Sequence, residues 1–256
     1  MRAVIFAGGK GSRFGNDITD NPKPLVSVYG RPIIWHVMKI YEQAGLNDFL
    51  LCLGYKKEYF YKYFINYHIE NSIIDINTLS GNTSIIEGPK ENWNVILKDS
   101  GVDTNTGGRV KSAESIIGKE TFTLTYGDSL VDIDIRKVTD FHKKHGKLAT
   151  VTGVRRRSSY GDLINEKDKI IGMKEKAVIG DTWINAGFFV LESGVFDYIS
   201  SNQDSWESDI MPALARDEQL MLYQHEGFWH PMDTVKDRDS IEAVIKNTEN
   251  GFLQIL

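Results

Sequence analysis

An α/β fold, in which a largely parallel sheet is flanked by helices, is what this sequence predicts. Three observations carry that expectation. Short apolar runs alternate with helical patterns through the first half of the chain. The first apolar run leads straight into a glycine-rich loop, the usual junction between a strand and a ligand at the sheet edge. At 256 residues the chain can bury a substantial core as one domain, residues 1–256, with no internal repeat, low-complexity tract or linker to divide it.

The elements follow in order. Residues 2–7 are a strand, because Ala3-Val4-Ile5-Phe6 is continuously apolar. Residues 32–44 are a helix, with Ile33, Ile34, Val37, Met38, Ile40 and Tyr41 at helical spacing and Pro32 in the first turn. Residues 48–53 form a second strand and residues 55–67 a second helix, rich in Tyr and Phe. Residues 72–105 break the rhythm, with Gly81, Asn82, Gly88 and Pro89 indicating an excursion of small strands and loops. Residues 121–126 form a strand that ends at Gly127-Asp128. A helix over 134–145 and a strand over 149–154 come next. Residues 169–173 and 183–190 complete a mixed sheet.

The bulk numbers exclude several classes. A net charge of −5 and a pI near 5.7 argue against a nucleic-acid-binding surface. Local clusters of cations within an acidic chain suit a small anionic substrate. The single cysteine, Cys52, lies in the apolar run Phe49–Leu53 and reads as a buried strand thiol. No apolar stretch approaches the ~20 residues that span a bilayer. No signal-peptide pattern precedes the first strand, so a cytoplasmic enzyme without membrane partners is expected.

The loop Ala7-Gly8-Gly9-Lys10-Gly11-Ser12-Arg13 has backbone N–H groups that can cradle phosphate oxygens. Lys10, Arg13 and Lys23 add positive charge nearby. A Walker A loop is excluded, since its spacing is absent. The dinucleotide fingerprint fails at Phe14, where its third glycine belongs, which disfavours a nicotinamide dehydrogenase. A polyphosphate nucleotide remains the natural guest. Asp128 follows a predicted strand and a glycine, and Asp233 lies in a loop after Pro231-Met232. Hard oxygen donors of this kind suit Mg²⁺, which takes one or two carboxylates together with substrate phosphates.

Gly8-Gly9-Lys10-Gly11-Ser12-Arg13 and Pro22-Lys23-Pro24-Leu25-Val26 resemble the signature of the sugar-phosphate nucleotidyltransferases. Pro32–Tyr41, Thr106–Arg109, Tyr126-Gly127-Asp128, Ile184–Val190 and Gly227–Thr234 resemble one branch of that family closely, the glucose-1-phosphate cytidylyltransferases. Together these segments run from residue 3 to about residue 240, nearly the whole chain. The resemblance implies a Rossmann-like core with a small acceptor-binding insertion. It also implies attack by a phosphate oxygen on the α-phosphorus of CTP, with pyrophosphate leaving. Within it, Arg13 and Lys23 are catalytic. Ala7, Gly8, Gly9, Gly11, Ser12, Thr106, Gly107, Gly108, Arg109 and Asp128 hold the nucleotide, and Asp128 and Asp233 hold Mg²⁺. Glu175, Lys176, Asn185, Tyr160 and Gly161 hold a small phosphorylated acceptor. Family members often assemble, so a homo-oligomer is expected.

The acceptor end departs from the pattern. Where the family carries Glu-Lys-Pro and Ile-Asn-Gly-Gly, this chain has Glu175-Lys176-Ala177 and Ile184-Asn185-Ala186-Gly187. Ala186 is expected to place a methyl group near the acceptor. The run Arg155-Arg156-Arg157 reads either as a solvated strand end or as a contact for a more acidic acceptor. A relative that uses phosphoglutamine for capsule synthesis would fit the second case. UTP or dTTP in place of CTP, or a non-catalytic nucleotide-binding module, are the alternatives. Trp183, Trp206 and Trp229 are assigned to core packing, and His36 to the core or a cap. Asp140, His142 and His145 are read as one exposed helix face.

Overall fold

The computed structural model describes residues 1–9, 21–157, 162–174 and 178–247. Strand β1 (Ala3–Ala7) is followed by a short 3₁₀ turn at Lys23–Leu25, then by β2 (Ser27–Val28), β3 (Arg31–Pro32) and α1 (Ile33–Gln43). Next come β4 (Asp48–Leu53), α2 (Lys57–Glu70), β5 (Ile73–Ile76), β6 (Thr83–Glu87), β7 (Asn94–Asp99) and α3 (Thr106–Ile117). The middle of the chain supplies β8 (Phe122–Tyr126), β9 (Ser129–Val131), α4 (Ile135–His145) and β10 (Ala149–Arg157). The last part supplies β11 (Asp162–Glu166), β12 (Lys169–Lys174), β13 (Val178–Leu191), α5 (Met211–Arg216), β14 (Leu220–His225), β15 (Trp229–Pro231) and α6 (Val235–Asn247).

Seven strands form one sheet in the order β14-β10-β13-β8-β1-β4-β7. β1 pairs in parallel with β4 and β8, β4 with β7, and β10 with β14. β13 alone of the seven runs antiparallel to its neighbours. The α/β expectation is therefore met: the sheet is mixed, largely parallel and helix-flanked. Alternation along β1 feeds two apolar layers. Ala3, Ile5 and Ala7 face a cluster built from α1, α4 and α6, while Val4 and Phe6 face a second cluster built from α3 and residues 195–214. Phe49 and Phe188 anchor the first and Phe122 and Trp206 the second, all fully buried. Burying one such side chain contributes about 1.5–3 kcal/mol.

Four parts of the architecture depart from the sequence reading. Residues 169–173 do not complete the mixed sheet: they lie in β12, which pairs with β11 as a separate two-stranded sheet and leaves Ile170, Ile171 and Met173 exposed. The excursion at 72–105 contains the exposed hairpin β5–β6, as expected, but it also contributes β7, the parallel edge strand of the main sheet. Residues 106–117, to which the sequence reading assigned no element, form a helix capped by Asn105, whose Oδ1 accepts the Thr106 N–H at 2.8 Å. His142 is not on an exposed face. It is 1% exposed, and a chain of hydrogen bonds runs through it. Lys147 N–H donates to His145 Nδ1 at 2.9 Å, and His145 Nε2 meets Thr150 Oγ1 at 2.7 Å. Thr150 Oγ1 meets His142 Nδ1 at 2.8 Å, and His142 Nε2 reaches Glu192 Oε1 at 3.1 Å. Burial holds both imidazoles below their ordinary range. His36 is a core histidine as expected, bonded to Val28 O at 2.8 Å.

Candidate active site

The carboxyl ends of β1, β4 and β8 meet at one edge of the sheet, and a cavity of about 280 Å³ opens there. Ala7, Gly8 and Gly9 leave β1 into it. Lys23 enters from the 3₁₀ turn, held between Pro22 and Pro24. Thr106 and Arg109 come from the start of α3, and Tyr126, Gly127 and Asp128 from the end of β8. Asp233 completes the lining.

Asp128 and Asp233 are distant in sequence, and the small ladder of β9 and β15 unites them. Ser129 pairs with Pro231, and Met232 N–H donates to Asp128 O at 2.8 Å. Their carboxylates converge on Lys23, whose Nζ is 2.7 Å from Asp128 Oδ2 and 2.7 Å from Asp233 Oδ1. Burial works to lower the ammonium's pKa, but Asp128 and Asp233 together outweigh it and hold it above the ordinary lysine value. Two carboxylates against one ammonium leave a net negative charge at the cavity floor. The donor set fits a hard divalent cation: two carboxylates already focused on one cationic point, with phosphate oxygens to complete the shell. No cluster of three or more His, Cys, Asp or Glu suited to an ion occurs among the described residues.

Arg109 is placed otherwise than a free fork of donors aimed at a base. Its guanidinium is 5% exposed and ties strand ends together, with Nη1 donating to Leu53 O at 2.9 Å and Nη2 to Gly8 O at 3.1 Å. A Cβ on Gly8 would lie 2.1 Å from Arg109 Nη1, so the loop needs glycine there to accommodate the guanidinium. Gly107 and Gly108 likewise serve close backbone packing. A Cβ on either would come within 2.6 Å of Asp204 O or Asn202 O, and Gly107 N–H is already given to Asp204 O at 2.9 Å.

Glu207 and Tyr126 were not singled out as site residues by the sequence. Tyr126 does directly precede Gly127-Asp128, a signal that could have found it. Glu207 lies in the single helical turn Trp206–Ile210. Its carboxylate accepts from Tyr126 Oη and, at 2.6 Å, from Thr106 Oγ1.

The acceptor residues are less gathered. Asn185 stands on β13, with Oδ1 accepting Gly187 N–H at 2.8 Å. Ala186 corrects an expectation. It is 1% exposed, and its methyl group packs in the first apolar cluster and does not line the cavity. Arg155 lays its guanidinium 4.2 Å from the Trp183 ring centre, and this half-buried tryptophan, expected in the core, belongs to neither apolar cluster. Arg156 and Arg157 continue the backbone of β10. Gly11, Ser12, Arg13, Tyr160, Gly161, Glu175 and Lys176 lie outside the described residues.

The family pattern described as Nucleotidyl transferase matches residues 2–248. A glucose-1-phosphate cytidylyltransferase of Salmonella typhi is 39% identical over 245 residues, covering 95% of each chain. A mannose-1-phosphate guanyltransferase of Aspergillus oryzae is 30% identical over 248 residues, covering 93% of this chain and 62% of that longer protein. Among solved structures, HddC from Yersinia pseudotuberculosis in complex with GMP-PN superposes with a TM-score of 0.67 at 21% identity. The match covers 95% of this chain and 98% of that one, and it bears on the fold alone.

Proposed function

This chain belongs to the nucleotidyl transferase family and is a nucleotidyltransferase, and from that premise we propose that it joins CTP and glucose 1-phosphate to give CDP-glucose and pyrophosphate. The observation that carries the proposal is Lys23, held between Asp128 and Asp233 beside the glycine loop. The choice of CTP and of glucose 1-phosphate is supported by the 39% identity to the Salmonella typhi enzyme over nearly all of both chains.

The reaction forms a bond from an acceptor phosphate oxygen to the α-phosphorus and breaks the bond from that phosphorus to the bridging oxygen. The electron pair and charge leave with pyrophosphate. The attacking oxygen is already anionic, so no general base is required and positioning and charge neutralisation carry the rate. Lys23 brings a fixed positive charge to the transferring phosphoryl group, stiffened by its flanking prolines. Asp128 and Asp233 orient that ammonium and would hold Mg²⁺, which supplies charge neutralisation and a template for the phosphate oxygens. The glycine loop, with Arg13, would take the β- and γ-phosphates. Glu175, Lys176, Tyr160, Gly161 and Asn185 are the proposed acceptor contacts. We place the enzyme in the cytoplasm, as a supplier of CDP-linked precursors for surface polysaccharide or capsule. No helix among the described residues is long and apolar enough to cross a membrane.

A homo-oligomer within a single-domain architecture is also proposed. Its support is the hairpin β5–β6, which exposes Ile73, Ile76, Ile85, Ile86 and, at 98%, Leu79, an apolar surface that a second copy would cover. Light scattering at working concentration tests this, and a monomer would refute it. One further observation keeps a second acceptor in play. Arg155, stacked on Trp183 at the end of β10, is a cation suited to a carboxylate-bearing acceptor such as phosphoglutamine.

The deciding experiment measures pyrophosphate release from each of CTP, UTP, dTTP, GTP and ATP with glucose 1-phosphate and with phosphoglutamine. CTP with glucose 1-phosphate should give the highest kcat/KM. A higher value with phosphoglutamine would move the assignment to the second acceptor, and a higher value with another nucleotide would refute the choice of CTP.

A further inference from the structure

We propose that Glu207 makes the cavity select an amino-bearing pyrimidine, by taking for itself the hydroxyl hydrogens of Thr106 and Tyr126. The inference rests on the CTP assignment and supplies a physical origin for it.

Thr106 and Tyr126 stand on the cavity wall, near Gly8, Gly9 and Arg109. Each has one hydroxyl hydrogen to give. A carboxylate accepts and has none to offer. Glu207 Oε2 therefore receives the hydrogen of Thr106 Oγ1 at 2.6 Å, and Oε1 receives that of Tyr126 Oη. Ser205 Oγ adds a third donor at 3.1 Å. The Thr106 oxygen also accepts the Trp206 N–H at 2.9 Å, which fixes its orientation further. Burial and the neighbouring Glu207 raise the Tyr126 pKa, so the phenol keeps its proton for this bond.

Asn185 also hydrogen-bonds the Tyr126 hydroxyl, so what these two hydroxyls keep for a ligand is their remaining lone pairs. At that patch the two hydroxyls accept hydrogen bonds and cannot donate them. Cytosine carries an exocyclic amino group where uracil carries a carbonyl oxygen, and the two present opposite hydrogen-bonding character. The amino group finds an acceptor here. The carbonyl oxygen would set lone pair against lone pair and leave a buried polar group unpaired, which sites built around hydrogen bonds reject strongly. Glu207 touches no reacting atom in this account. It is a positioning residue that acts through two hydroxyls.

Glu207→Gln changes the logic while conserving shape. The amide offers two hydrogens and one accepting oxygen, so one wall hydroxyl can accept from it and turn its own hydrogen into the cavity. Pyrophosphate release would be measured with CTP and with UTP at fixed glucose 1-phosphate. The wild type should favour CTP, and Glu207→Gln should lower the ratio of kcat/KM for CTP over UTP by about ten-fold or more, the scale of one base-reading contact. A purely structural role would lower both nucleotides together and leave the ratio unchanged. A folded Glu207→Gln variant whose ratio stays within about two-fold of the wild type would overturn the inference. If circular dichroism shows that this variant is unfolded, Thr106→Val carries the same test, since it removes the accepting oxygen. An unchanged ratio there overturns the inference equally. A wild type without preference for CTP refutes the CTP assignment itself, an outcome distinct from failure of the Glu207 account.

Discussion

Lys23 is one ammonium shared by two carboxylates, and its charge is the feature of the site most open to test at the scale of a residue. Asp128→Asn and Asp233→Asn each remove a charge from the cavity floor, where neutral isosteres fit the same space. Each should reduce turnover by at least about 100-fold, as expected for a preorganised electrostatic group, with the fold retained. Lys23→Ala should do the same. Initial rates at saturating Mg²⁺ decide the matter, and near-normal turnover in any one variant would remove that residue from the catalytic floor. The ammonium also links to stability. Its folded pKa is raised above 10.5, so its stabilising contribution is present below that pH and is lost as pH rises through the folded value. No part of that contribution varies near neutrality.

The histidine chain behind the sheet sets a prediction at the scale of the element. α4 and the start of β10 are joined by His145, Thr150 and His142, with hydrogens passed in one direction toward Glu192. Both rings must be neutral for that chain, because Nδ1 of each accepts a hydrogen. Their pKa values are lowered from 6.5, so an unfolded chain binds protons more readily below that pH. Stability should be full above about pH 6.5 and should fall as pH drops toward 5.5. Urea midpoints at pH 7.5, 6.5 and 5.5 measure this, and His142→Gln/His145→Gln should show a shallower decline. An equal decline in that variant would assign the acid sensitivity to other groups. Sequence reading failed here because it saw a charged, polar helix and could not see Glu192 arriving just past the end of β13. It succeeded at β4, where Phe49–Leu53 is one apolar run buried on both faces. It missed β7 and β14, half-exposed edge strands whose apolar runs, Val95–Leu97 and Leu220–Tyr223, are shorter than that of β4. It missed α3 because two glycines near its start argue against helix, whereas the close approach of residues 202–204 requires them. Lys23, Asp128 and Asp233 were legible through motif chemistry. Glu207 was not, since its partners stand 81 and 101 residues away and nothing local marks it.

For the whole molecule, Cys52 is a built-in reporter. It is the one cysteine of the chain, fully buried in the central sheet, and burial pushes its thiol up to about 11. A thiol reagent at pH 8 should find no reactive group in the native protein and one per chain after denaturation. The rate of labelling in mild denaturant then reports opening of the sheet itself. Rapid labelling of the native state would show that the sheet opens locally around β4.

The distances along the chain at Lys23 also bear on how the protein comes into being at the ribosome. The lysine is made early, Asp128 follows 105 residues later, and Asp233 stands 210 residues from it. At about 5–20 residues per second, some 10–40 s separate translation of the lysine from translation of its second carboxylate. A nascent chain stalled before Asp233 emerges would hold most of the sheet and an unfinished phosphate floor. It should bind nucleotide poorly and transfer nothing, so catalytic competence arrives only with the segment that carries Asp233.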